Sequence, residues 1–136
     1  MIRPLCKDIL FLSKPSLPAS KNDQFIAQDL MDTLNAHSQS CVGMAANMIG
    51  QNKCIIAIGI GPLKMILFNP VITSRSGKYS TEEGCLSLSG TRKTERYRNI
   101  EVEYCDSSWV KRKQKFSGFP AQVIQHEIDH LSGKII

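Results

Sequence analysis

Apolar positions along the chain change period several times, and each change predicts an element. The first 21 residues carry Pro4, Pro15 and Pro18 with little periodicity, which predicts an extended arm lying on the domain. Ser20 and Asn22 are candidate helix N-caps. From Asp23 to His37, Phe25, Ile26, Leu30 and Leu34 recur at helical spacing, predicting an amphipathic helix with one buried stripe. Ser38 to Gly50 reads as irregular and rich in small residues, including Gly43, Ala45 and Ala46, where backbone can approach a neighbour closely. Lys53–Ile60 and Met65–Thr73 are apolar runs split by Gly59, Gly61 and Pro62, predicting two strands and a turn. Ser74–Tyr79 reads as a polar loop. Ile100–Tyr104 alternates as a half-exposed strand, with Lys111–Phe116 as its candidate partner. Pro120–Leu131 reads as a helix, with Pro120 in its first turn and Gly133 beyond its end. The order of helix, strands and helix predicts an α+β fold. Its antiparallel strands would pack around the C-terminal helix, with the amphipathic helix near the N-terminus.

Composition narrows the class. A chain of 136 residues predicts a single domain over 1–136. The hydrophobic fraction is 42% and the charged fraction 21%, as in globular proteins. No apolar run approaches the roughly 20 residues of a membrane span, so no membrane partner is expected. The N-terminal segment lacks the uninterrupted apolar stretch of a signal peptide, so a cytoplasmic location is expected. Five widely spaced cysteines contain no C-x-x-C pair, which argues against both a disulfide framework and a zinc ribbon. Cys54 and Cys105 flank apolar runs and read as packed thiols. The net charge of +5 owes much to Lys111–Lys115 beside Trp109. A solvated hairpin is favoured there over a ribosome or RNA contact, and no DNA partner is expected.

The strongest local signal is His126-Glu127-Ile128-Asp129-His130. Two histidines four apart on a helix share one face, so both imidazoles can bind one metal. Glu127 follows the first histidine, where its carboxylate can reach a water on that metal. Catalytic sites usually add a third protein ligand, and Cys85 is the best candidate. A thiolate with two imidazoles suits zinc or ferrous iron. Glu83 and Asp129 are candidates to orient imidazole N–H groups.

Three segments in this order resemble the peptide deformylase family. They are Cys41-Val42-Gly43-Met44-Ala45-Ala46-Asn47-Met48, Glu83-Gly84-Cys85-Leu86-Ser87 and His126-Glu127-Ile128-Asp129-His130. The second and third match the family motifs fully and the first in part. The resemblance implies hydrolysis of the formyl group from N-formylmethionyl peptides of newly made proteins. It implies Cys85, His126 and His130 as ligands of Fe2+, with Zn2+ or Ni2+ as replacements, and Glu127 as acid/base. It makes the Leu86 N–H one oxyanion donor. The family's glutamine, the other donor, is Met48 here, and its first glycine is Cys41. A thioether cannot donate a hydrogen bond, so the oxyanion site is altered, although the amide of Asn47 lies adjacent. Val42, Gly43, Leu86, Phe119 and Val123 align with the pocket for the substrate methionine. Arg96 resembles a family arginine near it. The chain stops six residues after His130, whereas some members carry a tail that docks on the ribosome. That argues against a ribosome contact of that kind, and Lys111–Lys115 is the candidate for a weak one. A deacylase for another N-acyl group, or a metal- or peptide-binding homologue with little turnover, are competing readings. Retention of Glu127 argues against pure binding.

Overall fold

Ile55–Ile60 forms strand β2, and its first four residues are all buried. This β-branched run packs against both long helices, which explains its unbroken apolar character. The computed structural model describes residues 1–85 and 88–134. Around β2 they form one antiparallel sheet in the order β1-β2-β3-β4-β5. The other strands are β1 (Gly43–Ala45), β3 (Leu63–Cys85), β4 (Leu88–Cys105) and β5 (Lys111–Ser117). Gly61 takes φ +56 at the first corner of the β2–β3 turn, where a side chain would be strained.

The segment Ser74–Tyr79 is not a loop. It lies inside β3 and pairs with β4 through Ser76↔Asn99, Lys78↔Tyr97 and Tyr79↔Arg96. The β3–β4 ribbon there carries polar residues on both faces, so no alternation marks it as a strand. Cross-strand contacts hold it instead. Lys78 Nζ lies 3.1 Å from Glu95, and the Arg98 guanidinium sits 5.2 Å from the Tyr79 ring centroid. Cys85 is the last residue of β3 and pairs with Leu88.

The arm contains one helical turn, α1 (Ile9–Leu12). It is stitched to the domain by Cys6 N–H to Met48 O at 2.7 Å and Ser16 N–H to Leu131 O at 2.7 Å. Helix α2 (Gln24–Ala36) buries Ile26, Ala27, Leu30, Thr33 and Leu34. Phe25, counted in its stripe from the sequence, is 58% exposed because it lies one helical step off that face. Ser38–Gly50, read as irregular, contains β1 and a 3-10 turn, Ala46–Ile49. Helix α3 (Gly118–Leu131) packs on β1, β2, β4 and β5. Among the described residues no helix is long and apolar enough to cross a membrane.

Candidate active site

Helix α3 presents two neighbouring stripes. Phe119, Val123 and Glu127 recur every four residues, as do Gln122, His126 and His130. The first stripe meets β1 so closely that a Cβ on Gly43 would lie 2.6 Å from Val123 Cγ1 and 3.0 Å from Glu127 Oε2. Only glycine fits there. The second stripe faces the end of β3. The thiol of Cys85 and the imidazoles of His126 and His130 bring one ligand atom each within 4.8 Å of one another.

The orientation of His126 follows from Glu83. His126 Nδ1 lies 2.7 Å from Glu83 Oε1, and a carboxylate only accepts, so Nδ1 carries the proton. Its Nε2 then points a lone pair toward His130 Nε2, 3.0 Å away. One proton, carried by either ring, makes that contact a hydrogen bond, and a metal held by both nitrogens would take its place. Burial lowers both imidazoles, but the Cys85 sulfur and the Glu83 carboxylate raise His126 to about 10. Burial, then the His126 charge, holds His130 down at about 3. A half-buried thiol with two buried, facing imidazoles is a donor set that fits a divalent transition metal.

Glu83 is itself tightly held. Arg96 donates to it from Nε at 3.0 Å and from Nη2 at 2.6 Å, and Gln122 Nε2 donates at 2.9 Å. Burial opposes ionisation of Glu83, but these donors and His126 bring it down to about 2. Arg96 Nη1 also donates to Asp129 Oδ2 at 2.6 Å. Asp129 therefore pairs with this arginine rather than with an imidazole, contrary to the expectation. The partner lies 33 positions away and only the fold brings it near.

Glu127 is 4% exposed, and its Oε1 has no hydrogen-bond partner among the described residues. Burial pushes its carboxyl up to about 7, against the lowering effects of His126 and Arg96. It lines a cleft of about 500 Å³ together with Cys41, Val42, Gly43, Met48 and Cys85. Phe119, Gln122, Val123 and His126 of α3 also line it. Phe119 is 52% exposed at the mouth, so it does not face the core. Asn47 does not reach the cleft: it is fully buried, and Nδ2 donates to His130 O at 2.9 Å. Met48 occupies the wall without a donor to offer. Leu86 lies outside the described residues.

Two glutamines escaped the sequence reading. Gln122 buttresses Glu83. Gln125 brackets the Tyr97 backbone, accepting from Tyr97 N–H and donating to Tyr97 O, both at 2.8 Å. Each is a polar residue among apolar neighbours such as Ala121, Val123 and Ile124, which is the signal the sequence offers.

A family model described as polypeptide deformylase matches residues 7–136. A peptide deformylase of Clostridium beijerinckii is 54% identical over 136 residues, covering all of both chains. Among solved structures, a peptide deformylase from Legionella pneumophila superposes with a TM-score of 0.88 at 29% identity, over 99% of this chain and 83% of that one. A class I type b peptide deformylase from Acinetobacter baumannii bound to Met-Ala-Ser gives 0.89 at 27% identity, over 99% and 97%.

Proposed function

Because the chain belongs to the polypeptide deformylase family, we propose that Cys85, His126 and His130 hold its divalent metal and that Glu127 carries its protons. The family's known function is deformylation of nascent peptides, and its members are metalloenzymes; this chain is a hydrolase acting on N-formyl peptides. The observation that carries the residue assignment is Glu127, a buried carboxyl whose Oε1 has no partner among the described residues, walling the same cleft as Cys85 and His126.

A divalent metal on this donor set supplies Lewis acidity that lowers the pKa of water toward neutrality. The chain's residues do the rest. Glu127, held near neutrality, accepts the proton of the attacking water and returns it to the amine that leaves. Glu83 keeps His126 in the tautomer whose Nε2 is free. Val42, Gly43, Phe119 and Val123 provide the wall for the substrate methionine. The Leu86 N–H remains the candidate oxyanion donor. Met48 adds none, and one missing donor typically costs about 10²–10³ in rate.

Ferrous iron is the proposed native metal, with Zn2+ or Ni2+ as replacements; metal analysis of protein purified without oxygen decides among them. The chain is further proposed to act as one domain in the cytoplasm. Limited proteolysis yielding separate stable fragments would count against the single domain, and fractionation to another compartment would count against the location. A weak ribosome contact is assigned to Lys111–Lys115, and co-sedimentation with ribosomes that survives Lys113→Glu with Lys115→Glu would remove it.

The deciding experiment is formate release from formyl-Met-Ala-Ser by iron-loaded protein. Wild type should turn over. Glu127→Ala should lose at least about 10²-fold in kcat while keeping its metal. Absence of formate from metal-replete wild type would sink the assignment.

A further inference from the structure

β1 is an edge strand, and one of its sides is not claimed by the sheet. Its pairs are Gly43↔Ile58, Met44↔Ala57 and Ala45↔Ile56, and Gly59 N–H donates to Val42 O at 2.8 Å. Antiparallel pairs alternate between hydrogen-bonded and non-bonded. Val42 and Met44 therefore bond toward β2, whereas the backbone groups of Gly43 and Ala45 point away from it, and of these two residues Gly43 lines the cleft while Ala45 is buried. That edge borders the cleft holding Cys85 and Glu127. An extended peptide adding to it would use these groups.

Two of them are already taken, both by sulfur. The Cys41 thiol donates to Gly43 O at 2.8 Å, and Ala45 N–H donates to Met48 Sδ at 3.5 Å. A thiol is a weak donor and a thioether a weak acceptor. The Cys41 thiol satisfies the Gly43 carbonyl at the cleft, whereas the Ala45–Met48 contact is buried. Burial pushes the Cys41 thiol up to about 11, so it keeps the proton it donates.

We propose that Cys41 sets the peptide affinity of the cleft: its thiol occupies the Gly43 carbonyl in the free protein and leaves it when a peptide N–H takes that acceptor. The inference rests on the deformylase reading only for the identity of the occupant. Loss of the thiol removes a competitor for the carbonyl. Serine, a stronger hydroxyl donor of similar size, strengthens the competitor.

The test is calorimetric titration of Met-Ala-Ser into metal-loaded wild type, Cys41→Ala and Cys41→Ser. Formate release by the same wild-type preparation is measured separately, so failure of the hydrolase reading shows itself independently of the binding result. Kd should fall about two- to tenfold in Cys41→Ala and stay level or rise in Cys41→Ser. A carbonyl has two lone pairs. If the thiol merely shares the oxygen, alanine binds no better, and the proposal is overturned. Absence of peptide binding to all three proteins also overturns it. Wild type alone provides a second measurement, which does not depend on the variants folding. In the infrared difference spectrum on adding peptide, an S–H stretch should move to higher frequency as its hydrogen bond is lost. A flat difference spectrum with peptide bound overturns the proposal.

Discussion

Glu83 shows how one carboxylate governs a site it does not occupy. It accepts from His126, Arg96 and Gln122 at once. Glu83→Gln keeps an oxygen for His126 but loses the charge that Arg96 needs. Metal affinity should fall about 10–100-fold, read by competition with a chelator. The pH dependence follows from the same contacts. The folded carboxyl titrates at about 2, below its ordinary 4.5, so its stabilisation is complete above the ordinary value and is lost as pH falls toward the folded one. Between about pH 5 and pH 2.5, urea denaturation should show wild type losing more stability than Glu83→Gln. Equal losses would mean that the carboxylate contributes nothing beyond its hydrogen bonds. The donors His126 and His130 and the neighbouring Glu127 were legible in the sequence from spacing alone, because helix geometry is local. The link from Glu83 through Arg96 to Asp129 was not, because it joins two strands to a helix.

At the scale of elements, β1 and α3 touch through a glycine. Gly43→Ala would drive a methyl into Val123 and the Glu127 carboxylate. It should destabilise the protein by about 1–3 kcal/mol and lower turnover at least tenfold, read by thermal denaturation and formate release. A fully active, equally stable variant would show that the two elements separate without cost. The sequence marked Gly43 as a place of close backbone approach, but the pattern could not say what approaches. The β3–β4 ribbon teaches a related lesson. Hydrophobic alternation reports a sheet with one buried face, and Ser74–Tyr79 belongs to a stretch without one.

Across the whole molecule, the site draws Cys85 from the end of β3 and both histidines from α3. A metal bound there cross-links elements that otherwise meet through packing and the Arg96 network. Removing it should lower the melting temperature. Metal at a hundredfold excess over its Kd adds about 2.7 kcal/mol, a shift on the order of 10 °C for a domain of this size. The same chelation should leave His130→Ala unmoved. A chelator-insensitive wild type that had carried stoichiometric metal would contradict a site formed between β3 and α3.

The sequence by itself determined the two long helices and strand β2, the candidate histidine pair with Glu127, and the family. The elements and the histidine pair depend on residue type and on spacing within a few positions, and the family on three such motifs in order. Only the tertiary structure decided that Asn47 holds the end of α3, that Asp129 answers Arg96, and that two sulfurs satisfy backbone groups of β1. The first two join segments far apart in the chain, and the sulfur contacts, though between near neighbours, depend on how the backbone bends around β1. A periodic pattern says which side of an element is covered; only the packed chain says by what.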